Sequence, residues 1–148
     1  MIILTLPYPL SANRYWRPVR IGAHITIVPT KEAKAYRADV AARCKHLSPI
    51  AGRIAIAVRL FPNRPQDFAT RQRKHGGAWD DTVQCIDLDN ANKVLLDALK
   101  GIAFDDDKWV RRLTAERMEP DEHGARVIVA IAPLAVPVVQ PSLIAEAA

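Results

Sequence analysis

Two aspartates separated by one residue, Asp87 and Asp89, are the pair in this sequence most suited to chemistry. In extended backbone, side chains two residues apart point to the same side of the chain, so both carboxylates could contact one cation. Unpaired carboxylates that lie close together repel each other, and a divalent cation removes that repulsion. Oxygen-only ligation favours Mg²⁺ or Mn²⁺ over Zn²⁺.

A helix start is the alternative explanation for this pair. Apolar residues at helical spacing predict a helix from about Asn90 to Lys100, which Asp89 would cap while Asp87 stays solvated. Lys93 and Asp97 would follow Asp89 on one stripe of that helix, where an ion pair is the interpretation we favour for Asp97. A lysine beside carboxylate-held magnesium also suits phosphodiester hydrolysis, since it could stabilise the charged transition state.

Three further aspartates follow at residues 105–107. The predicted helix rises about 16 Å. After Gly101, five or six extended residues would span about 17–20 Å. We therefore expect Asp106 and Asp107 to return beside Asp87 and Asp89.

The remaining elements predict an α+β fold, with a mixed sheet of about four strands and two main helices. We expect strands at residues 2–6 and 53–61, and a hairpin formed by residues 110–118 and 125–131. Thr30 should cap a helix whose apolar stripe faces the core. Residues 10–29 look irregular, with strand character around residues 24–28. Residues 62–80 look like a long loop, and residues 127–131 are apolar enough to be buried on both faces.

These elements predict one domain over residues 1–132, with a basic loop insertion at 62–82 and an apolar, poorly ordered tail at 133–148. The formal net charge of +5 suits a polyanionic partner. Arg71, Arg73 and Lys74 in this segment could contact phosphates, although the segment could also be a tolerated insertion. Two isolated cysteines, no signal sequence and no long apolar run favour a cytoplasmic protein without a membrane span.

Taken in order, these motifs resemble the RusA family of Holliday junction resolvases, often carried by prophages, over about residues 4–131. The family's Pro-rich opening segment is similar to residues 6–17, LPYPLSANRYWR. Its central motif matches Asp87-Leu88-Asp89-Asn90 with Lys93, continued by Asp97-Ala98-Leu99, and its downstream acidic pair matches Asp106-Asp107 before Val110. One departure is that Cys85 and Ile86 stand where family members can carry arginines.

The resemblance implies a homodimeric, magnesium-dependent endodeoxyribonuclease that binds four-way DNA junctions and nicks two strands symmetrically during recombination and repair. Asp87, Asp89 and Asp107 would be the essential metal-binding acids, Asp106 an auxiliary ligand and Lys93 the catalytic lysine. The opening segment would bring Asn13, Arg14 and Arg17 to the DNA. Two alternatives stay open: a magnesium nuclease for other branched or duplex DNA, and a non-catalytic DNA-binding accessory protein of a mobile element.

Overall fold

The computed structural model describes residues 1–139 of the 148-residue chain. Its strands are β1 (Ile2–Pro7), β2 (Trp16–Ile21), β3 (His24–Pro29), β4 (Ile54–Phe61), β5 (Val110–Arg117) and β6 (Arg126–Pro133). Its α-helices are α1 (Ala12–Tyr15), α2 (Lys31–Arg43), α3 (Phe68–His75) and α4 (Leu88–Leu99). The predicted mixed sheet of four strands with two main helices is confirmed.

The main sheet has the strand order β1-β6-β4-β5. β6 pairs antiparallel with both β1 and β4, whereas β4 and β5 are parallel. A parallel pair needs a crossover, which α4 provides between β4 and β5. The predicted hairpin of the last two strands is therefore wrong, because β4 lies between β5 and β6. The turn formers after β5 reverse the chain, but they do not decide which strand edge it meets.

The core lies between one face of this sheet and the helices α2 and α4. Alternate residues of β4 are buried, namely Ile54, Ile56, Val58 and Leu60. On β6 the buried Val127, Val129 and Ile131 alternate with half-buried residues. The expected burial of β6 on both faces is thus wrong: the strand is interior in the sheet, yet only one face carries the helices.

The two main helices begin after Thr30 and Asp87, and only Thr30 caps its helix with a side-chain hydrogen bond. The Thr30 hydroxyl accepts a hydrogen bond from the Ala33 amide (3.1 Å), which confirms the predicted cap of α2. The apolar stripe of α2, including Tyr36 and Val40, is buried as predicted. α4 begins at Leu88, two residues before the predicted start, because Asp87 already has the extended backbone of an N-cap residue.

Residues 62–82 are not the predicted long loop. They contain α3 and a 3-10 helix at Gly76–Thr82, separated at Gly76, whose φ of +61° favours glycine. The buried Trp79 anchors this segment, since its indole Nε1 donates to a Glu119 carboxylate oxygen (2.6 Å). The burial of Trp79 could not be predicted from the sequence, because a single buried residue produces no repeating apolar pattern.

Residues 10–29 were expected to be irregular apart from strand character around residues 24–28. That strand is confirmed as β3, but the preceding residues contain α1 and β2, and β2 pairs with β3 in a hairpin. Gly22, with a φ of +61°, makes the tight turn between the two strands. The predicted tail begins later than expected, since β6 extends to Pro133; residues 134–139 have no regular secondary structure. Its remaining part, residues 140–148, lies outside the described residues. No helix in the described range is both long and apolar enough to span a membrane.

Candidate active site

Asp87 and Asp89 lie at the N-terminus of α4 with exposed side chains. Asp87 occupies the N-cap position, yet its carboxylate makes no capping hydrogen bond. Among residues 1–139, no hydrogen bond or ion pair engages the side chain of Asp89. The alternative in which Asp89 caps the helix is therefore wrong. Both carboxylates are available to a ligand, at a helix end whose dipole favours negative charge.

The approach to Asp87 is held in place by Tyr8. Its hydroxyl accepts a hydrogen bond from the Ile86 amide (2.9 Å) and donates to the Cys85 Sγ (3.5 Å). Burial raises the pKa of Tyr8 to about 12, so the hydroxyl keeps its proton at neutral pH. These contacts fix the backbone immediately before Asp87. The segment that contains Tyr8 is recognisable in the sequence, but this contact is not, because its two partners are 78 residues apart.

Lys93 lies one turn after Asp89 on α4 and is exposed. Within the described chain, no ion pair joins it to Asp89 or Asp97. Asp97 is ion-paired as expected, but its partner is Arg37 of α2, and it also accepts from the Tyr15 hydroxyl. Lys93 is therefore an exposed cation close in sequence to Asp89 that forms no ion pair with either acid of its own helix.

Asp106 and Asp107 lie at the opposite end of α4 from Asp87 and Asp89. Both are near the ammonium of Lys100, at 3.7 Å and 4.0 Å respectively. α4 has 12 residues, which corresponds to a rise of about 18 Å. The expected return of the chain beside Asp87 is therefore wrong within one copy.

Two features explain this separation. The Gly101 amide donates to the Phe104 carbonyl (2.7 Å), so the segment after α4 folds into a turn rather than an extended path. Because β5 is parallel to β4, the chain must also enter β5 at the edge of the sheet where β4 begins, away from the start of α4. Throughout the described residues, no group of three or more His, Cys, Asp or Glu side chains could hold a metal ion.

Asp106 is nevertheless held in its ionised form. The Lys108 amide donates to its Oδ1 (3.0 Å), and this bond, with Asp107 and Lys100 nearby, lowers the pKa of Asp106. The two ends of α4 thus each present carboxylates, one pair without a basic partner and one pair near a single lysine.

An open groove of about 800 Å³ lies beside Asp87. It is at the edge of the sheet where β1 and β4 end and β6 begins, and residues 82–87 form much of one wall. Asn63, Gln84 and Asn90 contribute side-chain amides to it. Sequence analysis did not identify these amides, because they come from three segments whose proximity only the topology creates.

The six residues predicted to contact DNA, five of them basic and one an asparagine, are in different situations. Arg71 lines the groove, but its guanidinium donates to Asp67 (2.8 Å) and to the Thr82 carbonyl (2.8 Å). Arg14 forms an ion pair with Glu32 (2.6 Å) on the surface. The other four are exposed: Asn13, Arg17, Arg73 and Lys74. Only Arg71 shares the groove with Asp87.

The donor set at the start of α4 fits magnesium in part. Mg²⁺ in proteins is often held by one or two carboxylates together with waters and substrate phosphates, and Asp87 and Asp89 could contribute the carboxylates of such a site. A site with a third protein carboxylate needs a donor from elsewhere.

A search among curated proteins finds no match to this chain. The model of the family described as "Endodeoxyribonuclease RusA" matches residues 7–132, which include both acidic pairs, Lys93, β4, β5 and β6 up to its penultimate residue, but only the last residue of β1. On that match the chain belongs to the RusA endodeoxyribonuclease family.

Proposed function

We propose that this protein is a magnesium-dependent endodeoxyribonuclease that resolves four-way DNA junctions by paired, symmetric nicks in recombination and repair. The observation that carries the proposal is the pair of exposed carboxylates at the start of α4, which have no partner in the described chain. They border an open groove in a chain of an endodeoxyribonuclease family.

In this proposal Asp87 and Asp89 hold Mg²⁺, or Mn²⁺ in its place. The cation supplies Lewis-acid chemistry, by neutralising charge on the scissile phosphate and making a water molecule more acidic. Lys93, one helical turn away, donates to phosphoryl oxygens whose negative charge grows in the transition state. The amides at the N-terminus of α4 add their positive dipole to the same anion.

A homodimer would resolve the separation of the acidic pairs. In a two-fold dimer, residue i of one copy contacts residue j of the other, and j contacts i in return. If the two-fold axis passes between the two ends of α4, Asp107 and Asp106 of each copy approach Asp87 and Asp89 of the other. Two equivalent sites then arise at once, as paired cleavage of a two-fold junction requires.

DNA binding in the proposal relies on Asn13, Arg14, Arg17, Arg71, Arg73 and Lys74. Contacts to phosphates fix the position of DNA without reading its sequence. Three of these residues are exposed and lie outside the main sheet, where the arms of a junction could reach them: Arg73 and Lys74 on α3, and Arg17 on β2.

The test is cleavage of a synthetic four-way junction against a linear duplex of the same sequence, with Mg²⁺, at several salt concentrations. We expect junction cleavage in two symmetric strands, with affinity falling steeply with salt because phosphate contacts dominate. Equal cleavage of the duplex would support instead a nuclease for other DNA structures. Junction binding without cleavage at any concentration of Mg²⁺ or Mn²⁺ would contradict the enzymatic proposal and favour an accessory DNA-binding protein.

A further inference from the structure

The groove beside Asp87 has a fixed outer wall made by residues 62–82. Two arginines hold this wall: Arg71 donates to the Thr82 carbonyl (2.8 Å), and Arg117 of β5 donates to the carbonyls of Asp80 (2.8 Å) and Val83 (2.7 Å). Trp79 adds its hydrogen bond to Glu119. The contacts of Arg117 and Glu119 tie this segment to the end of β5 and the residues that follow it.

The groove offers hydrogen-bonding side chains that are not used by the protein. Asn63 and Gln84 are exposed, and within residues 1–139 neither side chain has a hydrogen-bond partner. Each side-chain amide presents a donor and an acceptor side by side, which is the pattern that matches the edge of a nucleobase. Asp87 is the one carboxylate among the lining residues in the described chain, and Arg71 the one cation.

The size and position of the groove also suit a nucleotide. Its volume of about 800 Å³ lies within the range of small-molecule sites, and its walls combine polar groups with the apolar surface of Val83, Ile86 and Pro65. Since Asp87 lines the same groove, a base bound there would belong to a nucleotide adjacent to the phosphate held at the acids.

We propose that this groove binds one unstacked nucleotide next to the scissile phosphate, and that Asn63 and Gln84 read its base. The inference rests on the proposed nuclease function and adds a determinant of where the enzyme cuts. Enzymes that do chemistry on a base extrude it from the duplex into a pocket, and extrusion is least costly where base pairing is already broken. The branch point of a DNA junction is such a place.

The first experiment measures cleavage of a junction library in which each of the four bases occupies every position around the cut. We expect a base preference at one position for the unaltered protein. In the double variant Asn63→Ala/Gln84→Ala, the ratio of cleavage at the preferred base to cleavage at the others should fall by about tenfold. That factor is the value of a good bidentate amide contact, and the variant should still cut the junction. Gln72→Ala is the matched control: it removes an exposed amide of α3 that does not line the groove, and the preference should persist.

The second experiment detects unstacking without cleavage. 2-Aminopurine, whose fluorescence increases on unstacking, is placed at the preferred position and the junction is bound by Asp89→Asn protein. An increase that disappears in Asn63→Ala/Gln84→Ala/Asp89→Asn supports the proposal. The proposal is overturned if the unaltered protein cuts equally well with every base at every position, if the double variant keeps the preference, or if the fluorescence does not change. Failure of the unaltered protein to cut any branched DNA contradicts the proposed function itself, so the two failures are distinguishable.

Discussion

The acids around α4 differ in whether a basic side chain neutralises them. Asp97 is bound by Arg37, and Asp106 and Asp107 lie near Lys100. Asp87 and Asp89 have no such partner in the described chain. Both carboxylates are therefore free to contact a ligand.

Asp89→Asn should reduce junction cleavage by about 100-fold or more, because it removes a carboxylate that binds the cation and keeps the side-chain size. Junction affinity should change by no more than about twofold, since contacts to phosphates come from other residues. Cleavage rates and binding titrations on the same junction check both expectations. Asp81→Asn, an exposed acid outside the site, is the control and should cut normally. Normal magnesium-dependent cleavage by Asp89→Asn would exclude the proposed role.

At the scale of elements, one polar cluster connects three helices. Tyr15 of α1 is fully buried, and its hydroxyl accepts from Arg37 Nε (2.6 Å) and donates to Asp97. Burial and the bond to Asp97 raise the pKa of Tyr15 to about 12, so it remains a donor. This cluster determines how α1 and α2 lie against α4, and so where the start of α4 meets the groove.

Asp97→Ala should lower the free energy of unfolding by about 2 kcal/mol, since it leaves the Tyr15 hydroxyl and the Arg37 guanidinium without their acceptor. Asp39→Ala removes an exposed i,i+4 pair with Arg43 and should cost about 0.5 kcal/mol or less. Urea unfolding of both variants measures the difference. Equal losses would show that the cluster contributes no more than an ordinary surface ion pair.

The turn between β5 and β6 contains a second charged contact with a dependence on acid. Arg126 donates to both carboxylate oxygens of Asp121 (2.7 Å and 2.9 Å), and this lowers the pKa of Asp121 to about 2 from 3.8. A lowered pKa in the folded state means that the stabilisation is complete above the unfolded value and is lost as pH falls toward the folded one.

Asp121→Asn should therefore cost about 1 kcal/mol at neutral pH, where the bidentate pair is intact. The difference from the unaltered protein should shrink as pH falls from 3.8 to about 2 and then vanish. Unfolding experiments at several pH values measure it, with the exposed Glu122→Gln as the control for loss of one acid. A difference that stays constant across this range would contradict the assigned pair.

Local signals predicted the elements better than their arrangement. Thr30, the alternating residues of β4 and the apolar stripe of α4 each act within a few residues, and the structure confirms them. The partner of β5 and the location of Asp107 depend on the order of the strands in the sheet, and no short sequence pattern encodes that order. The candidate site was accordingly predictable at Asp87 and Asp89, but not in its relation to the second acidic pair or to the groove.

At the scale of the whole molecule, a site that needs both acidic pairs would have to be shared by two copies, because the pairs lie at opposite ends of α4. Two variants that damage opposite ends of α4 can then compensate each other. In a mixed dimer of Asp89→Asn and Asp107→Asn, one site combines both substitutions and the other has neither.

Each of these variants alone should be inactive. In an equal mixture allowed to exchange subunits, about a quarter of all sites should be intact, because about half of the dimers are mixed and each mixed dimer has one intact site. Such dimers should nick one strand of the junction without completing the paired cut, which denaturing gels of the products reveal. A mixture of Asp87→Asn with Asp89→Asn is the control and should stay inactive, because both changes affect the same end of α4. No recovery in dimers shown to be mixed would place the whole site within one copy.

The position of β6 has a consequence for synthesis of the chain. β6 is the last strand of the described sheet to be made, yet it lies between β1 and β4 and is the partner of both. While the ribosome extends the chain, β1 has no strand to pair with and one edge of β4 stays open. Unpaired strand edges promote association with other chains. We expect the nascent protein to depend on chaperones, or on slow growth at low temperature, until residue 133 has left the exit tunnel.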